Sequence, residues 1–128
     1  MATVAELMST TLVTVAPATT IAEAATVMGG HHVGSSLVME GGALVGIFTE
    51  RDILRALSQD FDAPGHAVSH WMTRNPKSVE PDVEAEDALE RMLAGGFRHF
   101  PVVEGDRVLG VVSMRDLSRA ASERERGT

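Results

Sequence analysis

"GIFTERDIL" at residues 46–54 and "GVVSMRDLS" at residues 110–118 follow one pattern. An apolar stretch containing a glycine ends on a hydroxyl, and three residues after the hydroxyl comes an aspartate that leads into helical spacing. Working outward, an offset of 64 residues lays Met8 on Met72, Val15 on Val79, Pro17 on Pro81, Ala24 on Ala88, Met28 on Met92, Val38 on Val102, Arg51 on Arg115 and Asp52 on Asp116. The overlay runs without a gap from 4–57 onto 68–121. The chain therefore divides into a first repeat over 1–60, a linker at 61–67, a second repeat over 68–122 and a charged tail, 123–128, expected to fray. The linker lies within the polar, Pro- and Gly-containing "SQDFDAPGHA" (58–67).

The periods inside each repeat can be read directly. "LVTV" (12–15) is short and β-branched and is followed by Pro17, which suits a strand. Thr20 with Glu23 has capping-box spacing ahead of Ile21, Ala24, Ala25 and Met28, which recur at a helical period. "SLVM" (36–39) and "ALVGIF" (43–48) flank Glu40-Gly41-Gly42 and read as a β-hairpin. After Thr49 the apolar positions Ile53, Leu54 and Leu57 return to helical spacing. Each repeat is thus a short helix followed by β-α-β-β-α, and the second runs it through "KSV", "FPVV", "RVLGVV" and "RDLSRAA". The fold class is α/β (α+β). So small a unit leaves apolar surface uncovered, so two tandem repeats packed with pseudo-twofold symmetry are expected to complete each other.

Bulk properties narrow the function. A chain of 128 residues with 44% hydrophobic residues can build an ordinary core. It has no apolar run near the ~18 residues of a membrane span, and its start, "MATVAELMST", lacks a secretion signal, so a soluble, cytoplasmic protein is expected. Cysteine is absent, which excludes disulfides and thiolate metal sites. The net charge of −7 argues against wrapping nucleic acid or lying on an anionic membrane. An anionic ligand needs a local cationic pocket.

Taken alone, Thr49-Glu50-Arg51-Asp52 and Ser113-Met114-Arg115-Asp116 are capping boxes at helix starts. His66 and His70, four apart, could share a helix face as a metal pair, but no HExxH glutamate accompanies them and a bland surface reading is preferred. His31-His32 follow Gly29-Gly30 at a helix end, where a cation complements the dipole. The sole lysine, Lys77, lies near Arg74 beside a proline and reads as solvated. There is no P-loop, G-x-G-x-x-G or G-x-S-x-G.

The gapless pair of units, closed by "LVGIFTERDIL" and "RHFPVVEGDRVLGVVSMRDLS", resembles a tandem CBS-domain pair, or Bateman module, over nearly the whole chain. The resemblance implies clefts between the repeats that bind adenosine-containing ligands, of the AMP, ADP or ATP class, sometimes NADH, S-adenosylmethionine or a cyclic dinucleotide. It also implies association of pairs as disc-shaped homodimers. The hydroxyl–aspartate pattern is similar to the family's ligand motif, G-h-x-[ST]-x-x-D, on Thr49, Arg51 and Asp52 and on Ser113, Met114, Arg115 and Asp116. There the aspartate accepts from the ribose hydroxyls, and the Ser or Thr bonds a phosphate or the sugar. A carboxylate suits a cis-diol and a helix N-terminus suits an anion, and capping and binding can coexist.

Arg98 and His99 match the family's phosphate-contacting basic pair, the one a permanently charged fork, the other a donor whose charge depends on pH. The first repeat has Gly34 and Ser35 instead, a departure that separates the two clefts in how they treat phosphate. Thr14-Val15-Ala16 and Ser78-Val79-Glu80 resemble the adenine edge, though plain strand residues read the same. Phe100, Pro101 and Leu37 fit an apolar wall for the base or ordinary core.

The reading is a stand-alone regulatory module, not an enzyme and needing no cofactor or metal. It binds an adenosyl ligand (AMP, ADP or ATP) and signals to an unidentified regulated protein by conformational change. The alternative is a ligand-free dimerising scaffold or protein-interaction module. Apolar residues at the repeat starts, Leu7, Met8, Trp71 and Met72, are expected to face a second copy in a homodimer. A small enzyme ranks last, because no nucleophile–base pair or convincing metal set can be assembled.

Overall fold

Gly41 and Gly42 take φ of 59° and 81°, values open to glycine at little cost, and this tight turn pairs β2 (Ser35–Glu40) antiparallel to β3 (Ala43–Thr49). The computed structural model describes residues 2–127, with side chains as far as Ser122. β1 (Thr14–Val15) lies parallel to β2, and β4 (Thr73–Arg74) pairs antiparallel to β3, giving a four-stranded sheet in the order β1-β2-β3-β4. In the second copy β5 (His99–Glu104) and β6 (Arg107–Ser113) form the same hairpin, with the same register shift at the equivalent position. The flanking strands shrink there to single bridges, Val79 to Val102 and Ser9 to Val111. "LVTV" and "KSV" thus contribute less strand than their composition suggests. Helices α2 (Ile21–Gly30), α3 (Glu50–Gln59), α4 (Ala85–Gly95) and α5 (Met114–Gly127) follow the expected order, and α5 continues through 123–127.

The compact units are not the sequence repeats. One is Leu12–Pro76; the other combines Met1–Thr11 with Lys77–Thr128. Each repeat's leading segment therefore completes the hairpin of the other. In the second unit α1 (Val4–Leu7) packs Val4 into a core with Val79, Ala88, Met92, Phe100, Val102, Val112 and Leu117. Val68 does the same in the first, beside Ile21, Met28, Val38, Phe48 and Ala56. Glycine permits the close approach: a Cβ on Gly46 would lie 2.9 Å from the Thr73 carbonyl oxygen, and one on Gly110 would run into that of Ser9. The glycine of the opening motif is explained by this packing.

Leu7, Met8, Trp71 and Met72 are partly buried against the cores of their own units, so they do not form the exposed face expected of them. The apolar side chains left in solvent are others: Leu54, Leu57, Phe61 and Leu93 among them. The region 61–67 also carries structure. A 3₁₀ turn, Ala63–Gly65, buries Ala63 completely, and the Ile21 N–H donates to the His66 carbonyl. Its polar composition reflects the outer side of a packed turn. Thr20 and Glu23 form the expected capping box, with Thr20 N–H and Oγ donating to the Glu23 carboxylate and holding it below the usual carboxylate range. No helix among the described residues is long and apolar enough to cross a membrane.

Candidate functional site

Each hairpin delivers its hydroxyl–aspartate pair to the same place, the junction between the second hairpin strand and the helix that follows. Thr49 caps α3: its Oγ1 accepts from Asp52 N–H (3.3 Å), while Asp52 Oδ2 accepts from Thr49 N–H (3.0 Å) and Oγ1–H (3.1 Å). Ser113 does likewise for α5, with Oγ accepting from Asp116 N–H (3.1 Å) and Oδ2 accepting from Ser113 N–H (3.0 Å). The capping reading holds at both corners. Asp52 is buried and Asp116 half-buried, while Arg51 and Arg115, one position before them, are exposed.

Strand register sets what surrounds each pair. His99 lies opposite Ser113, and Met114 N–H donates to the Arg98 carbonyl at 2.8 Å, so the basic pair adjoins the Ser113–Asp116 corner within one unit. Arg98 is exposed, and His99 and Met114 are half-buried. At the other corner Ser35 lies opposite Thr49, and Glu50 N–H donates to the Gly34 carbonyl at 3.0 Å. The bare backbone there is covered by an acid: a Cβ on Gly34 would sit 3.0 Å from Glu50 Oε1. One corner has an arginine where the other has a carboxylate.

The first-strand segments and the wall residues serve the sheet. Val15, Leu37, Val79, Phe100 and Pro101 are buried, and Phe100 meets Phe97 edge-on at 4.9 Å. Val79 spends its N–H on Pro101 and its carbonyl on Val103, and Ala16 spends both backbone groups on Thr19. Thr14, Ser78 and Glu80 are exposed.

Two residues missed by the sequence reading adjoin Asp52. Arg55 Nη2 reaches Asp52 Oδ1 at 3.3 Å and the Trp71 carbonyl at 2.8 Å, and its guanidinium carbon lies 5.3 Å from the centre of the Trp71 ring. Asp52 and Arg55 are three apart on a helix, a spacing visible in the sequence, but Trp71 comes from a distant segment and carried no such signal.

The remaining polar groups are absorbed locally. His66 and His70 do not share an α-helix; the His66 ring stacks on Trp71 and accepts the Trp71 Nε1–H at 3.3 Å. Among the described residues no three His, Asp or Glu side chains gather as a metal site. A small cavity of about 30 Å³, lined by Ala85, Leu89, Leu117 and Ala120 among others, has none of the predicted ligand residues in its lining.

Comparison with known proteins matches this geometry to one group. The model of the CBS domain matches residues 4–59 and again 68–123. The CBS domain-containing protein YhcV of Bacillus subtilis (strain 168) is 38% identical over 119 residues, covering 92% of this chain and 84% of that protein. The CBS domain pair of protein MJ0100, solved in complex with 5′-methylthioadenosine and S-adenosyl-L-methionine, superposes with a TM-score of 0.87 at 28% identity, covering 96% of this chain and 98% of the other. CBSX2 in complex with AMP superposes with a TM-score of 0.79 at 26% identity, covering 96% and 98%.

Proposed function

The chain belongs to the CBS-domain family as a tandem pair, and from that premise we propose that it is a regulatory module whose Asp116 corner binds an adenine nucleotide of the AMP, ADP or ATP class. The observation that carries this is the placement of Arg98 and His99 directly beside Ser113 and Asp116 by the register of β5 on β6. The adenosyl ligands of the MJ0100 pair and the AMP of CBSX2 support the same ligand class.

Each group has a physical task. Asp116 accepts from the two ribose hydroxyls, and Ser113 bonds the sugar or phosphate. The positive end of the α5 dipole and the Arg98 fork face the phosphate. His99 adds a donor whose charge rises as pH falls. Ser78 and Glu80 offer backbone groups to the base. Occupancy favours one arrangement of the chain over another, and a regulated protein reads the difference. Such a module acts in the cytoplasm and without catalysis of its own.

A charge-assisted hydrogen bond contributes about 1.5–3 kcal/mol, so Arg98→Ala should weaken AMP about 10- to 150-fold and adenosine far less. Calorimetric titration of both ligands on both chains checks it. Equal losses would make Arg98 a structural residue, and no binding at all would leave the scaffold reading. That second reading draws on the α3 face, where Leu54 is 70% exposed, and on Phe61, 96% exposed, which suit a homodimer. Sedimentation at tens of micromolar tests it.

A further inference from the structure

We infer that Arg55, seated on Trp71, closes the Asp52 corner to nucleosides, so that each chain takes one nucleotide, at Asp116; this rests on the nucleoside reading above. The argument starts from acceptor capacity. An ionised carboxylate has about four lone-pair sites, and a cis-diol needs two of them. At Asp52 three are taken, by Thr49 N–H, Thr49 Oγ1–H and Arg55 Nη2. One remains, too few for two ribose hydroxyls.

Arg55 is not a loose surface arginine, although its side chain is 49% exposed. The Trp71 carbonyl and ring hold it from one side and Asp52 from the other. Trp71 is itself fixed by its Nε1–H on His66 and by packing against the core of its unit. The second copy has the same arginine position without the seat. Arg119 corresponds to Arg55, but Leu7 corresponds to Trp71, and among the described residues only the Ser113 N–H donates to the Asp116 carboxylate. Three acceptor sites stay open there.

Phosphate chemistry points the same way from an independent contact. Glu50 lies over Gly34, at the position where the other corner has Arg98, and would repel a phosphate. Opening the Asp52 corner should therefore admit adenosine and still reject AMP.

The experiment has two arms on the full chain. Without ligand, ¹⁵N-resolved arginine side-chain spectra should show the Arg55 guanidinium slowed relative to Arg119, and Asp52→Asn should release it. Rotation of Arg55 as free as that of Arg119 in the wild type would overturn the closure, whatever the chain binds. With ligand, calorimetry should count one AMP and one adenosine per wild-type chain, bound about 5- to 30-fold more weakly in Asp116→Asn and unchanged in Asp52→Asn. Arg55→Ala, a change on an exposed helix surface, should add a second adenosine, tightened about tenfold or more, and no second AMP. Trp71→Leu, which removes the ring beside Arg55 and leaves the backbone carbonyl and Asp52 in place, should do the same to a smaller extent. Two equal sites in the wild type, or an unchanged count in both variants, would overturn the inference and leave the nucleoside reading standing. No binding of either ligand to any of these chains would overturn that reading and this inference with it.

Discussion

The two hairpin–helix corners share a backbone and differ in what they place on it. Around Ser113 and Asp116 stand Arg98, His99 and a carboxylate with open acceptor sites; around Thr49 and Asp52 stand Gly34, Ser35, a covering Glu50 and a seated Arg55. The capping hydrogen bonds, which build the fold, are duplicated almost atom for atom. The groups that would meet a ligand are not. Duplication preserves what each unit needs to fold, and leaves free to diverge whatever only one site needs.

The cores show the same division in apolar form. In the first unit Phe48 on β3 lies opposite Ser36 on β2; in the second Phe100 on β5 lies opposite Val112 on β6, so the large ring has changed strands. All four are buried. Phe48→Ala and Phe100→Ala should each cost about 3–5 kcal/mol, the largest effects expected, read as denaturant midpoints. Phe48→Val combined with Ser36→Phe copies the second unit's arrangement into the first and should recover part of the loss from Phe48→Val alone. Strict additivity of the two changes would break the equivalence of the hairpins.

Asp→Asn at the two corners sharpens the comparison next. Asp116→Asn should lower AMP affinity by about 1–2 kcal/mol, while Asp52→Asn should leave it unchanged and appear in stability instead, through its cap and its pair with Arg55, also by about 1–2 kcal/mol. Titration and thermal unfolding on the same samples separate the two. Matched affinity losses would make the corners equivalent.

The smallest difference lies at the other helix starts. Thr20 and Glu23 cap α2 reciprocally, whereas Glu84, at the N-cap of α4, makes no such side-chain bond. The folded-state pKa of Glu23 lies below its unfolded value, so its contribution is present above the unfolded value and is lost as pH falls through the folded one. Carboxyl NMR titration should find Glu23 titrating below the ordinary glutamate range. Because Glu23 is fully exposed, Glu23→Gln should move Tm only slightly.

Everything with a short period was legible before any coordinates. The offset of 64 residues, the hairpin about Gly41-Gly42 and the capping boxes follow from alternation, helical spacing and turn chemistry, which act between near neighbours. The contacts that distinguish the two corners are longer in range. Glu50 over Gly34 needs the hairpin register; Arg55 on Trp71 needs a segment sixteen residues away to return, as the hydrogen bond from Arg55 Nη2 to the Trp71 carbonyl records. The exchange of leading segments, the packed turn at 61–67 and the burial of Leu7, Met8, Trp71 and Met72 depend on which apolar surfaces are left uncovered once each hairpin and its helices have formed. A sequence announces that such residues are apolar, but the surface that covers them is chosen by the shape of the whole unit, because burial is non-directional and carries no address of its own.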